Sequence, residues 1–99
     1  MVTSASISIH GDTLILAGVL NHETVLEVDK HGQQWLLETA PVDCKLDLGA
    51  ITYSSSAGIA LLLGWLRIAQ QNQKNLRFLQ APASMIALAK VGGLEDLLV

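Results

Sequence analysis

The residues best placed to do chemistry form a single run, Tyr53-Ser54-Ser55-Ser56-Ala57-Gly58, in which three hydroxyls precede an apolar stretch. Ser56, immediately before Ala57-Gly58, is the predicted helix N-cap, its hydroxyl accepting from the N–H of Gly58 or Ile59. A helix start leaves backbone N–H groups unpaired and carries a partial positive charge, so it favours anions as well as capping hydroxyls. Phosphate on Ser56 would place ~1.5–2 negative charges at that end, making Ser56 a candidate regulatory phosphosite. The same serines equally serve as a cap and turn, a role worth about 1 kcal/mol.

Other chemistry finds no foothold. Ser54 to Gly58 lacks the first glycine of G-x-S-x-G, and no His–Asp pair supports a triad. His10, His22 and His31 fall in different segments without metal-ligand spacing. Gly92-Gly93 lacks the phosphate-loop pattern and its lysine, so it reads as a helix stop. Asp47 alternates with Leu46 and Leu48 as a structural strand residue, and Cys44 beside it reads as a small core residue. No catalytic residue, metal site or cofactor is expected.

The elements around this run follow from hydrophobic periodicity. Ile7 and Ile9 alternate with polar residues, and after Gly11-Asp12 the run Thr13 to Ala17 continues as the second strand of a hairpin. Residues 22–38 carry an imperfect helical pattern, weakened in its middle by His31-Gly32. Cys44 to Leu48 is a predicted strand, Gly49 to Ser56 a polar loop, and Ala57 onward a helix with Ile59, Leu62, Leu63, Leu66 and Ala69 at spacings of three and four. Leu76 to Leu79 reads as a strand, Ser84 to Val91 as a helix, and Leu94 to Val99 as a last helical turn. The order β-β-α-β-α-β-α predicts an α/β domain, with an N-terminal hairpin and parallel later strands in a small mixed sheet. Functional loops of such sheets lie beyond the carboxyl ends of the strands, where the serine run falls.

Composition narrows the partners. Hydrophobic residues make up 51% of the 99 and charged residues 15%, against about 25% in an average soluble domain. A small domain with excess apolar content is expected to show apolar surface to a partner. The net charge of −3 and the lack of a basic run exclude a nucleic-acid footprint. The apolar run Ala57 to Leu66 is about half the ~20 residues that span a bilayer, so direct membrane insertion is not expected. Met1 to His10 lacks the regions of a signal peptide, and the single cysteine fits a reducing cytoplasm.

Leu46-Asp47-Leu48, Ile51, the serine cluster and Gly58-Ile59-Ala60-Leu61-Leu62-Leu63 together resemble the signature of STAS domains, with Leu88-Ala89-Lys90 in agreement. This family includes sulfate transporter tails and anti-sigma factor antagonists, and the resemblance implies one STAS domain over residues 1–99. Phosphorylatable members read D-S-S-G, with the second serine as acceptor. Setting that glycine on Gly58 puts the acceptor position on Ala57, the first serine on Ser56 and the aspartate on Ser55, so acceptor and aspartate are both replaced here.

Within the family the chain is most similar to the STAS subunits of Mla phospholipid ABC transporters, whose loop also lacks the acceptor and keeps a hydroxyl at the place of Ser56. That resemblance implies a non-enzymatic accessory subunit, cytoplasmic and peripheral to the inner membrane. It would bind the ATPase subunit, with the permease in the same complex, support ATPase assembly and activity, and so maintain outer-membrane lipid asymmetry. The alternative is an anti-sigma factor antagonist in which Ser55 or Ser56 takes phosphate. The expected contact surface is Tyr53, Ser54, Ser55, Ser56, Ala57, Gly58 and Trp65, with Tyr53 as an aromatic anchor. Trp65 fits either the core or the interface.

Overall fold

The computed structural model describes residues 4–93; the predicted turn at Leu94 to Val99 lies outside them. β1 (Ala5–His10) and β2 (Thr13–Leu20) pair antiparallel through a two-residue turn whose first residue, Gly11, has φ +61°. Glycine enters that left-handed region without a Cβ clash, which suits it to the first position of a two-residue hairpin turn. α1 (Thr24–Gln34) follows and runs into a π-helical turn over Trp35–Thr39. β3 (Asp43–Ser54), α2 (Ser56–Gln71), β4 (Asn75–Leu79) and α3 (Ala83–Val91) complete the order predicted from the sequence. The sheet order is β1-β2-β3-β4, with β2, β3 and β4 parallel.

One face of the sheet is buried at its two central strands and half-buried at its edges. Leu14 and Leu16 of β2 and Cys44, Leu46 and Leu48 of β3 share it, while Ile15, Lys45 and Asp47 alternate onto the open face. The helices cover the buried face with Val28, Leu36, Leu62, Trp65, Ala69, Met85 and Ala89 in one core. On the open face Lys45 meets Asp12 at 3.1 Å and holds its carboxyl below the usual range. That pair is solvent-screened and contributes little to stability.

β3 is longer than its sequence pattern implies. Alternation stops after Leu48, which is why Gly49 to Ser54 reads as a loop, yet the backbone stays extended to Ser54. The reason is two bulges. β2 advances from Ile15 to Ala17 while β3 advances from Asp47 to Ala50, and from Gly18 to Val19 while β3 advances from Ile51 to Tyr53. Each step inserts one extra residue in β3. Inward positions then fall at 48, 51 and 54, a spacing of three that no period-two pattern detects.

Gly32, which weakens the helical pattern of α1, is required by packing. A Cβ there would overlap the six-membered ring of Trp65, which is 1% exposed and donates its Nε1–H to Asp29 Oδ1 at 2.9 Å. Gly64, on the outer side of α2, has nothing within 4 Å of a Cβ. The two glycines therefore predict opposite outcomes in urea unfolding. Gly32→Ala loses roughly 2–3 kcal/mol by overpacking. Gly64→Ala gains about 0.5–1 kcal/mol by helix propensity.

Candidate functional site

The end of β3 and the first turn of α2 set the geometry of the serine run. Ser55, not Ser56, is the N-cap. Its backbone is extended and its Oγ accepts from the Ala57 N–H at 3.2 Å. The shift has a cause in the sheet: the Ser55 N–H donates to Leu20 O at 2.8 Å, as one more rung after the Leu20–Ser54 pair. That rung holds Ser55 in the strand conformation a cap residue needs and leaves Ser56 as the first helical residue, exposed.

The candidate contact residues separate by burial. Tyr53 projects at 56% exposure and Ser56 is exposed, while Ser55 and Ala57 are half-buried. Ser54 is buried, its Oγ donating to Ser55 O at 2.9 Å, and Gly58 is buried against it. A Cβ at Gly58 would overlap Ser54 Oγ and lie 3.1 Å from Leu20. Ser54 and Gly58 are thus packing residues that seat α2 on the strand ends, and the expectation that they present surface is corrected. For Trp65, left open between core and interface by the sequence, the structure gives the core. Its indole lies in the core between α1 and α2, so it cannot anchor a partner.

The helix start is already occupied by its own chain. The Ala57 N–H is held by Ser55 Oγ and the Gly58 N–H reaches Ser55 O at 3.0 Å. Less of this terminus is therefore open to an anion than four free N–H groups would offer. Among the described residues no cluster of three or more His, Cys, Asp or Glu gathers that could hold a metal. His10, His22 and His31 are exposed and lie apart in the chain, and burial pushes the Cys44 thiol up, away from the thiolate. Among the described residues no helix is long and apolar enough to cross a membrane.

The sequence reading missed what flanks α2. On one side, Val25, Leu26 and Asp29 of α1 face Ala60, Gly64 and Ile68 across a groove of about 360 Å³. On the other, Ile59 and Leu63 face Leu88 and Val91 of α3 across about 370 Å³, with Ser56 at its end. Leu26 is 77% and Val91 89% exposed. The signal was present in the small residues Ala57, Ala60 and Gly64 along one helix side, too short to cover the apolar walls beside them.

Comparison with known proteins gives a family and a fold. The family model described as "Mlab, STAS domain" matches residues 4–99. The structure of the anti-sigma factor antagonist SpoIIAA in its unphosphorylated form is similar at TM-score 0.76 and 15% identity, over 96% of this chain and 85% of that one. The Bacillus cell fate determinant SpoIIAA in its phosphorylated form gives 0.71 at 16%, over 96% and 88%. An anti-sigma-factor antagonist (STAS) domain protein from Planctomyces limnophilus gives 0.73 at 10%, over 99% and 88%. No curated protein matches the sequence.

Reassigning the cap yields a test by thermal or urea unfolding. Ser55→Ala costs about 1 kcal/mol, while Ser56→Ala at the exposed first helical position changes stability by under about 0.5 kcal/mol. Equal losses at the two positions would return the cap to a shared role.

Proposed function

The chain belongs to the STAS domain family, and on that premise we propose that it is a non-enzymatic accessory subunit of a phospholipid ABC transporter. It binds the ATPase subunit, in a complex that includes the permease, and supports ATPase assembly and activity. That places it in the cytoplasm, held at the inner membrane by the complex, where it helps to maintain outer-membrane lipid asymmetry. The observation that carries the proposal is the first turn of α2. Exposed Ser56 lies at the end of the α2–α3 groove and Ala57 lines the α1–α2 groove, and by the family resemblance Ala57 takes the place of the acceptor serine. A surface without the acceptor suits a lasting contact better than a switch, and its apolar flanks suit the dry centre of a protein interface. The Mla label of the matching family model points the same way.

A second reading keeps the chain as an anti-sigma factor antagonist regulated by serine phosphorylation. One observation favours it: the Ser56 hydroxyl is exposed at the start of a helix, where a kinase can reach it. The half-buried Ser55, whose Oγ caps the helix, is the poorer acceptor.

The deciding experiment recovers the tagged chain from detergent-solubilised cells of its source and identifies what stays bound in near-stoichiometric amount. An ABC ATPase with its permease supports the transporter reading; a serine kinase or anti-sigma factor supports the switch and displaces it. With the ATPase in hand, Ser56→Glu is expected to weaken binding in calorimetry by about tenfold, because a carboxylate loses its water against a surface fitted to a hydroxyl. Unchanged affinity of a folded Ser56→Glu protein would remove Ser56 from the contact.

A further inference from the structure

The groove between α1 and α2 contains one group that any occupant must answer. Its walls are mostly apolar, formed by Val25, Leu26, Ala60, Gly64 and Ile68, with the polar side chains of His22 and Gln33 also among the lining, and Asp29 is its single acidic residue. Asp29 is half-buried. Its Oδ1 takes the Trp65 indole N–H at 2.9 Å, and among the described residues no side chain or backbone donor reaches the other oxygen.

Open to water, this carboxylate is solvated. Covered by a purely apolar surface, it would lose that water and keep one neutral hydrogen bond, an unfavourable exchange for a charge. The walls nevertheless call for cover, since Leu26 is the most exposed leucine among the described residues and faces the helix side of Ala60 and Gly64. Both demands are met by one kind of occupant. Charge complementarity at Asp29 requires a cation, and the walls require an apolar side chain next to it.

We infer that the α1–α2 groove docks a protein segment carrying an Arg or Lys beside an apolar side chain, the cation seated on the free oxygen of Asp29. The inference rests on the reading that this chain works by docking a protein, and it supplies the chemistry of that contact. Trp65 has a part in it. Its indole holds the carboxylate in place, so the side chain arrives pre-oriented and little rotamer freedom is lost on binding. Lys30 lies exposed on α1, where its own positive charge disfavours a second cation.

The test is an NMR titration of the labelled full chain with two synthetic amphipathic helical peptides. They share one leucine stripe and differ only in Arg or Glu beside it. The Trp65 indole N–H resonance reports on Asp29 directly. The Arg peptide is expected to shift that resonance and the Ala60 and Gly64 amides, and to bind about tenfold tighter than the Glu peptide. Asp29→Asn keeps an acceptor for the indole and is expected to equalise the two peptides. Gly64→Leu, at a position whose Cβ would have nothing within 4 Å, is expected to block both, its fold checked by the dispersion of the amide spectrum. Equal binding of the two peptides to the unaltered chain, or no shift at Trp65, Ala60 and Gly64, overturns the inference.

The two readings fail separately. An ATPase recovered from cells whose affinity ignores both Asp29→Asn and Gly64→Leu overturns the groove and leaves the transporter reading standing. Arg-selective peptide binding with no ATPase recovered supports the groove and sinks the transporter reading.

Discussion

The Trp65 indole lies flat against Gly32, and the placement of the helices depends on that contact. One of the two core tryptophans sits where α1 has no side chain at all, so α1 and α2 approach more closely than a Cβ at position 32 would permit. The hydrogen bond to Asp29 fixes the ring's orientation and satisfies a buried donor that would otherwise cost free energy. Asp29, which that bond orients, also lines the groove on the outer side of the same helix pair, so core packing and the accessible face meet at one side chain.

A second constraint acts at the strand ends. Ser54 folds its hydroxyl back onto Ser55 O and packs against Gly58, while Ser55 continues the sheet by one rung and caps α2. Asn21 does similar work at α1, accepting from the Glu23 and Thr24 N–H groups at 2.9 Å each, while Thr24 Oγ1 donates to Val19 O at 2.7 Å. Both helices on the carboxyl side of β2 and β3 are therefore tied to the sheet by short polar side chains. This rigid seating lets the exposed neighbours, Tyr53 and Ser56, project without being structural themselves.

The architecture was legible because its signals are local. The Gly11-Asp12 turn, the leucine alternation of β2 and the stripe of α2 each state their element within a few residues, and their order leaves few topologies open. Three features were not legible, for a common reason: they depend on pairs of residues far apart in the chain. The bulges of β3 exist only relative to β2. The cap moved to Ser55 because Leu20, thirty-five positions earlier, offers its carbonyl. Trp65 became core because Gly32 leaves it room, and nothing in the periodicity of α2 alone says which of its large residues has such a partner.

The distribution of hydroxyls at the α2 start also bears on function. A switch operated by phosphate needs an accessible acceptor and N–H groups ready to receive the charge. In this chain the half-buried position 57 carries a methyl group, and its N–H is held by the cap. The exposed hydroxyl at 56 lies one residue earlier, at the end of the groove between α2 and α3. A charge added there would have to be hydrated beside the apolar walls of that groove. The apolar composition that sets the chain apart from an average domain is what a lasting partner would cover.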